Sequence, residues 1–371
     1  MSQLARNIGK STHPNHTVNK AHNPEVEIEA LDCGYDQREK RLPLTHFHIW
    51  LYLVVATSKM PILQEKISTI ILAAGVGKRM HSKTPKILHH ILGKPIVGFV
   101  LKLARDIRSE QIILVVNNQK HDTYRSLGTD ICYAIQEEPL GSGDAALRGI
   151  KAATCDAVLI LCGDVPLLKV QTIANALDYH EEEKADLTIL TCNMKNPYGY
   201  GRIIRGRNGY INAIIEQTDA TYSQQNITEI NTGVYYGCKD LLLSALAQIT
   251  NKNEQGEFYL TDAVRNIASG GKKVCGYIIE DETEIIGINT KAQLAQVRTL
   301  VKRDWFEQLM QRGVYIEDPS TTSIDLSVKI GEDVHIRPHT LIEGDTTIPA
   351  GATVGPFVWI KDGKRIEGPT S

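Results

Sequence analysis

The sequence lacks the cysteine pairs that mark zinc ribbons and thioredoxin-type redox sites. Its seven cysteines stand singly along the chain, and no two of them form a C-x-x-C pair. An odd number of scattered cysteines in 371 residues is typical of reduced thiols and excludes a small disulfide scaffold. We therefore expect a cytoplasmic protein.

The chain also lacks an excess of one charge and a long apolar run. Its 41 basic and 43 acidic side chains leave a net charge of −2, whereas nucleic-acid-binding domains usually carry a basic excess. The longest apolar run near the N-terminus, residues 49–56, has eight residues, and a membrane-spanning helix needs about 20. Basic residues precede this run, as in a signal peptide, but it begins too deep in the chain. We expect neither nucleic acid nor a membrane among its partners.

The first 59 residues differ from the rest of the sequence. They are polar, contain five of the twelve histidines and show no sustained helix or strand period before residue 47. Histidines without ligand spacing are more often solvated side chains than a metal site. We predict that residues 1–59 are a disordered extension or a start-site artefact, and that the ordered protein begins at Met60.

Short apolar runs alternate with helical stretches over residues 60–290, which predicts an α/β domain with a mostly parallel sheet covered on both faces. Helices are predicted over 98–108 and 169–182, and a linker helix over 291–313 ends at Gly313. The apolar runs predict strands at 69–73, 111–116, 157–161, 187–191, 233–237 and 273–279.

The C-terminal part, residues 314–371, has a period of six, which fits neither an α-helix nor a simple alternating strand. This period predicts a short left-handed parallel β-helix of two to three coils, with each repeated side chain pointing inward. So short a β-helix needs support from the preceding domain or from another subunit, which leaves a homo-oligomer open. The repeated positions are Ile324, Ile330, Ile336, Ile342, Ile348, Val354, Ile360 and Ile366.

A glycine-rich loop follows the first predicted strand, as LAAGVGKRM at 72–80, and Pro85-Lys86 comes shortly after it. Gly75 and Gly77 allow the backbone to approach a phosphate, and Arg79 and Lys86 add positive charge. The dinucleotide pattern G-x-G-x-x-G fails because Met80 replaces its third glycine, and the Walker A pattern is also absent. The loop therefore predicts a phosphate site of another kind.

Eight motifs together resemble the nucleotidyltransferases that join a nucleoside triphosphate to a sugar 1-phosphate. The resemblance is closer still to the bacterial N-acetylglucosamine-1-phosphate uridyltransferases, the N-terminal half of a bifunctional enzyme, and it covers about four-fifths of the chain from residue 67 onward. The motifs are LAAGVGKRM (72–80), TPKILH (84–89), Gln136 with LGSGDA (140–145), GDVPLL (163–168), GYGRII (199–204), EINTG (229–233), QGEFYLTD (255–262) and GINT (287–290).

The resemblance implies a Rossmann-like nucleotidyltransferase domain that transfers UMP from UTP to N-acetylglucosamine 1-phosphate for cell-envelope precursors. It implies Mg²⁺ as cofactor, with Asp164 and Asn289 as ligands, and catalytic roles for Arg79, Lys86 and Asp164. Alone, each of these residues is more often a helix cap, a turn residue or a surface charge. The implied substrate-binding residues are Leu72, Ala73, Ala74, Gly75, Gln136, Gly141 and Ser142 for the uridine, Gly201, Glu216 and Asn231 for the N-acetylglucosamine, and also Lys86, Gly163, Asp164 and Asn289.

Two of these assignments also have a direct chemical reason. Asp164 follows an apolar strand at the carboxyl edge, where α/β sheets bind ligands, and a carboxylate there suits Mg²⁺. The amide of Gln136 can pair with both a donor and an acceptor on the uracil edge. The reaction needs no covalent nucleophile, so positioning and charge neutralisation should dominate.

Four positions depart from the pattern of the family: Val76, Asp144, Cys162 and Tyr198. The chain also ends before the long β-helix in which the bifunctional enzymes carry acetyl transfer, so we expect no acetyltransferase activity. Three alternatives stay open: another sugar 1-phosphate as substrate, a catalytically silent regulatory subunit of the same fold, and a nicotinamide-dependent dehydrogenase. The charged residues Arg79, Lys86 and Asp164 count against the silent subunit.

Overall fold

The structure of the protein is a computed structural model that describes residues 66–117, 124 and 127–366. The extension predicted over residues 1–59 lies outside the described residues. The first part of the described chain contains the strands β1 (Ile67–Leu72), β2 (His90–Ile91), β3 (Lys94–Pro95), β4 (Gln111–Asn117), β5 (Ile131–Gln136), β6 (Ala157–Cys162), β7 (Leu187–Asn193), β8 (Arg202–Arg205), β9 (Ile211–Ile215), β10 (Glu229–Cys238) and β11 (Val274–Ile279).

Nine of these strands form one mixed sheet with the core order β11-β7-β10-β6-β1-β4-β5, and β8 pairs with both β10 and β9. Strands β6, β1, β4 and β5 run parallel to one another, whereas β10 is antiparallel to both of its neighbours β6 and β7. The predicted mixed, mostly parallel sheet is therefore confirmed. Strands β5, β8 and β9 were not among the predicted runs; they are short or partly exposed.

Helices cover both faces of the sheet, because its strands are apolar on both sides. Helices α1 and α3 pack on one face, and α2, α5 and α6 pack on the other. None of the helices in the described part of the chain is long and apolar enough to cross a bilayer. The helices are α1 (Ile96–Asp106), α2 (Ser142–Ala152), α3 (Val170–Glu183), α4 (Tyr222–Gln225), α5 (Lys239–Leu246), α6 (Leu260–Ser269) and α7 (Lys291–Gln311).

Helix α7 follows the sheet domain and begins at a capping box, in which Thr290 and Gln293 satisfy each other's backbone N–H groups. Its inner side packs in a small apolar cluster that also contains Met80 from the glycine-rich loop and Ile288. The helix thus contacts two segments that flank the carboxyl edge of the sheet.

The C-terminal part is a triangular parallel β-helix built from very short strands. They stack in three faces, β12-β15-β18, β13-β16-β19 and β14-β17, with partners one coil apart such as Ser323 and Leu341. The strands are β12 (Tyr315–Ile316), β13 (Ser323–Ile324), β14 (Lys329–Ile330), β15 (His335–Ile336), β16 (Thr340–Glu343), β17 (Thr347–Ile348), β18 (Thr353–Val354), β19 (Val358–Lys361) and β20 (Lys364–Arg365).

The period of six predicts the interior of this β-helix except at its last position. Ile324, Ile336 and Ile342 are fully buried, and Ile360 is partly buried in the same apolar cluster. The prediction for Ile366 is wrong, because the chain turns back at Asp362–Gly363 and β20 pairs antiparallel with β19. The backbone N–H of Ile366 donates to the carbonyl oxygen of Trp359 at 2.7 Å, so this residue belongs to a hairpin and not to a further coil.

Candidate functional site

The predicted site residues gather at the carboxyl edge of the sheet, where neighbouring loops leave β1 and β6. The backbone N–H of Gly163 donates to the carbonyl oxygen of Leu72 at 2.9 Å, and that of Ala73 donates to Val115 at 2.9 Å. These two bonds extend the pairing of β1 with β6 and β4 by one residue. They hold the start of the glycine-rich loop beside the Gly163–Asp164 turn, the place where open α/β sheets bind ligands.

The glycine-rich loop is shaped by contact with Lys86. Gly77 has φ of +66°, and a Cβ added there would lie 2.7 Å from Cβ of Lys86, so only glycine fits at this position. A short 3₁₀ turn, Lys78–Met80, then buries Met80 and leaves Arg79 exposed. Gly75 is also exposed and has no other group within 4 Å of its would-be Cβ, which leaves backbone open to a ligand.

Lys86, Asp164 and Asn289 meet at the centre of this edge. The ammonium of Lys86 donates to Oδ2 of Asp164 and, at 3.0 Å, to Oδ1 of Asn289. The three side chains come from widely separated segments, which a backbone bond from Ile288 N–H to the carbonyl oxygen of Asp164 (2.9 Å) draws together. Oε1 of Gln293 accepts from the N–H of Asn289 at 2.9 Å and so fixes that residue at the start of α7.

The oxygens of Asp164 and Asn289 fit a divalent cation. They already converge on one cation, the Lys86 ammonium, and both are hard oxygen donors of the kind that Mg²⁺ prefers. The described residues contain no group of three or more His, Cys, Asp or Glu side chains with metal-ligand geometry. A cation here would therefore need substrate phosphates and water to complete its coordination, as Mg²⁺ commonly does.

Arg79 is not drawn into this centre. Its side chain is exposed and makes no hydrogen bond or ion pair with any other described residue. The structure therefore brings Lys86, Asp164 and Asn289 together and leaves Arg79 as an uncommitted cation on the adjoining loop.

Three of the residues expected to bind the base, Gln136, Gly141 and Ser142, lie on one side of this centre, at the end of β5 and the start of α2, whereas the other four, residues 72–75, lie at the end of β1 and in the glycine-rich loop. Gln136 is buried, and its Nε2 donates to the carbonyl oxygen of Gly141 (3.0 Å) and to Oδ2 of Asp144 (2.9 Å). The structure thus differs from the expectation that this amide offers both a donor and an acceptor to a base, since both of its N–H groups are already used. Ser142 Oγ accepts from the N–H of Leu260 at 3.1 Å, which ties the start of α2 to the start of α6.

The residues expected to bind the sugar lie together on the other side. Asn231 donates its backbone N–H to the carbonyl oxygen of Gly201 at 2.9 Å, and a Cβ on Gly201 would lie 3.4 Å from Oε2 of Glu216. Oε1 of Glu216 accepts from the hydroxyl of Thr261 at 2.9 Å. Burial raises the pKa of the Glu216 carboxyl above its ordinary value, because the charged form is poorly solvated there.

Sequence reasoning missed the residue that orients Asn231. Nδ2 of Asn231 donates to the hydroxyl of buried Tyr235 at 2.8 Å, while its Oδ1 accepts from the N–H of Gly233 at 3.1 Å. Residues four apart lie on the same side of a strand but are normally too distant for their side chains to meet. The register of β10 is irregular between Asn231 and Val234, where three steps along β10 oppose one step along β7, and this bulge brings the two side chains within bonding distance. A tyrosine in an apolar strand carries no sequence signal for this role.

The four departures from the family pattern fall in different surroundings. Val76 and Tyr198 are exposed, whereas Asp144 holds Gln136. Cys162 lies against Gly233, where an added Cβ would come within 2.5 Å of its sulfur, so the thiol fills the space that this glycine leaves. Burial raises the pKa of the Cys162 thiol to about 12.

Comparison with known proteins agrees with this architecture. Residues 69–256 match the model of the MobA-like NTP transferase domain. The bifunctional protein GlmU of Halalkalibacterium halodurans is 39% identical over 297 residues, which cover 80% of this chain and 65% of that protein. GlmU of Caldanaerobacter subterraneus is 40% identical over 299 residues, with the same shares, and GlmU of Syntrophomonas wolfei is 36% identical, with 67% of its length covered. The chain thus spans about two thirds of these relatives.

A solved structure of UDP-glucose pyrophosphorylase with UDP-glucose shares the fold. It superposes with a TM-score of 0.51 at 16% sequence identity, over 63% of this chain and 99% of the other. The sheet, the edge that carries the gathered residues and the sequence matches lead to one conclusion: the chain belongs to the family of the MobA-like NTP transferase domain and is a nucleotidyltransferase related to the bacterial bifunctional protein GlmU.

Proposed function

We propose that the protein transfers UMP from UTP to N-acetylglucosamine 1-phosphate, which gives UDP-N-acetylglucosamine and pyrophosphate. The observation that carries this proposal is the order of the groups along one sheet edge. Lys86, Asp164 and Asn289 lie in the middle, Gln136 lies on one side, and the Gly201–Glu216–Asn231 group lies on the other. This order suits a triphosphate placed between its base and an acceptor sugar phosphate.

The chemistry is one displacement at phosphorus. An oxygen of the sugar 1-phosphate forms a bond to the α-phosphorus, and the bond from that phosphorus to the bridging oxygen breaks, so the electron pair leaves with pyrophosphate. Lys86 supplies positive charge at the reacting phosphates, and Arg79 on the exposed loop adds a second cation. Catalysis then consists of positioning and of stabilising the charge that moves to the leaving group.

Asp164 and Asn289 would hold Mg²⁺, which when bound supplies further positive charge to phosphate oxygens. A divalent cation and the ammonium of Lys86 would compete for these two acceptors, so Lys86 would then be available to pair with the phosphates. The chain itself thus carries a cation at the metal position before a ligand arrives.

A covalent route through the nearby thiol is disfavoured. Cys162 is the cysteine beside this centre, and burial raises its pKa to about 12, so the thiol stays protonated at neutral pH. A protonated thiol is a poor nucleophile. Direct attack by the sugar phosphate is therefore the reaction that suits the site.

The experiment that tests the proposal follows pyrophosphate release from UTP and MgCl₂ with three acceptors in parallel. Turnover on N-acetylglucosamine 1-phosphate, and little on glucosamine 1-phosphate or glucose 1-phosphate, is the expected result. A preference for glucose 1-phosphate would agree with the proposed reaction but contradict the proposed acceptor sugar. No pyrophosphate from any acceptor, in protein that is folded by circular dichroism, would overturn the enzymatic proposal and favour the silent regulatory subunit.

The same preparation tests the prediction on acetyl transfer. Glucosamine 1-phosphate with acetyl-CoA should release no free CoA, and thiol release above the rate without protein would contradict that prediction. We also propose that the protein is located in the cytoplasm, where UTP is made. Cell fractionation tests this localisation.

A further inference from the structure

The amide of Gln136 has a fixed orientation because of what surrounds its nitrogen. Nε2 carries two hydrogens, and they are donated to the carbonyl oxygen of Gly141 at 3.0 Å and to Oδ2 of Asp144 at 2.9 Å. Exchanging the amide oxygen and nitrogen would place an acceptor against two acceptors. Only one of the two orientations is therefore compatible with these neighbours.

Asp144 is itself held in place by Arg148, one turn further along α2. Nε of Arg148 donates to Oδ2 of Asp144 at 2.8 Å, and its Nη1 donates to the carbonyl oxygen of Ile135 at 3.1 Å. The guanidinium thus joins helix α2 to the strand residue that directly precedes Gln136. The carboxylate between the two side chains has one oxygen that accepts from both, so it cannot shift without losing both bonds.

This arrangement leaves one polar atom of the Gln136 amide, the carbonyl oxygen Oε1, to bond with a ligand. Among the described residues, none donates a hydrogen bond to this oxygen. The base that meets it must supply a donor. In uracil, the ring atom N3 carries a hydrogen and is a donor. In cytosine, N3 carries a lone pair and is an acceptor, so it would repel the partial negative charge of Oε1.

We propose that Asp144 is a positioning residue for base recognition: it holds Gln136 so that Oε1 accepts a hydrogen bond from N3–H of uracil. Asp144 is one of the positions that depart from the family pattern, and neither the motifs nor the comparisons give it a role. The inference rests on the proposed use of UTP and deepens it, because it names the atom of the base that the chain reads.

The test measures steady-state kinetics with UTP, CTP and N3-methyl-UTP for wild type, Asp144→Ala and Asp144→Asn. In Asp144→Ala we expect KM for UTP to rise about tenfold with KM for the sugar phosphate unchanged, since a lost hydrogen bond to a charged group typically costs that much. The preference for UTP over CTP should fall by a similar factor. Asn places an uncharged oxygen at the same position, so Asp144→Asn should recover most of the preference. N3-methyl-UTP should be a poor substrate of the wild type.

A double-mutant cycle with Gln136→Ala separates positioning from general damage. If Asp144 acts through Gln136, then Asp144→Ala has no further effect on KM for UTP in the Gln136→Ala background, because the amide that Asp144 orients is already absent. Additive effects, an equal rise of both KM values, or an unchanged UTP to CTP ratio in Asp144→Ala would each overturn the inference. Melting temperatures show whether a variant is folded. If Asp144→Ala is not, Asp144→Leu takes its place, because it also removes the acceptor while filling a similar volume.

Failure of this inference differs from failure of the proposed function. If the wild type does not turn over UTP at all, the proposed function fails. If the wild type turns over UTP and Asp144→Ala behaves like it, only the role of Asp144 fails.

Discussion

Two regions of the molecule use parallel strands in opposite ways. In the central sheet, strands such as β1, β4 and β6 have six or seven residues and are buried on both faces, so polar residues are found where the strands end. In the β-helix most strands have two residues, one pointing inward and one outward, and the chain turns at every repeat. Long strands bring loops from distant segments to one edge, whereas short strands bring together only residues one coil apart. We therefore expect chemistry at the sheet edge and a contribution to stability from the β-helix interior.

The sharpest test removes the charge of Asp164 at the sheet edge. In Asp164→Asn we expect kcat to fall by about 10²–10³-fold, as for the loss of one group that stabilises developing charge. The melting temperature should change little, because the side chain lies at an open edge and not in the core. Pyrophosphate release and thermal unfolding measure the two effects.

Asp156→Asn is the matched control, because this exposed carboxylate precedes the opposite end of the same strand β6. It should behave like the wild type. Equal activity in both variants would remove Asp164 from the reaction.

The converse test weakens the interior of the β-helix. Ile342→Ala should lower the free energy of unfolding by about 2–5 kcal/mol, since it leaves a cavity at a fully buried position. Leu341→Ala is the control, because the neighbouring side chain points outward and is 38% exposed. Urea unfolding followed by circular dichroism measures both.

We expect kcat and KM of folded Ile342→Ala to equal those of the wild type. A large loss of activity at temperatures where this variant is folded would show that the two regions are not separable in this way.

At the sugar side, function and stability should change in opposite directions. Glu216→Gln should raise KM for the sugar phosphate about tenfold, because an amide is a weaker acceptor for sugar hydroxyls than a carboxylate. In the folded wild type the pKa of the Glu216 carboxyl is raised, so the folded protein binds the proton of this carboxyl more tightly than the unfolded chain does. Stability of the wild type therefore decreases as pH rises from the ordinary pKa of a glutamate through the raised one.

Glutamine does not titrate, so the gain in melting temperature of Glu216→Gln over the wild type should grow with pH above about 4.5. Melting curves between pH 4.5 and 8 measure this gain. Glu254→Gln, at an exposed position, is the control for the exchange of a carboxylate for an amide and should change the melting temperature little. A gain for Glu216→Gln that is independent of pH would contradict the burial of a charged carboxylate.

The smallest effect is expected for Tyr235→Phe. The change removes the hydroxyl that accepts from Asn231, which should cost about 0.5–1.5 kcal/mol of stability and raise KM for the sugar phosphate a few-fold. KM for UTP should stay the same. Tyr222→Phe, on an exposed side chain, is the control. A change in both KM values would mean that Tyr235 supports the whole edge and not the sugar side alone.

Much of the sheet could be predicted from the sequence because its strands are continuous apolar runs between loops. Strand β5 escaped prediction because it is only partly buried, with Cys132 exposed. Helix α2 escaped as well, since two glycines and an aspartate give its sequence the composition of a loop. The repeat of six identified the β-helix, but Ile366 shows that a side-chain period does not reveal where the backbone reverses.

The predicted site residues came from motifs, and the structure adds contacts that motifs do not carry. Thr261 and Glu216 lie on separate segments, and so do Lys86 and Asn289; no local pattern pairs them. The spacing of Asp144 and Arg148, four residues apart, was a readable signal for an ion pair on a helix. What that pair holds, the amide of Gln136, depends on how β5 meets α2 and could not be read from spacing.

The way Met80 anchors the glycine-rich loop has a consequence for its motion. Met80 is buried with Ile288 against α7, while Val76 and Arg79 are exposed on the same loop. Few buried contacts mean a low free energy of local opening. Amide hydrogens of residues 75–79 should therefore exchange with solvent deuterium far faster than those of β1, with a sharp boundary at Met80. We therefore expect residues 75–79 to fluctuate while Met80 stays fixed, so a ligand that orders this loop loses part of its binding free energy to the ordering.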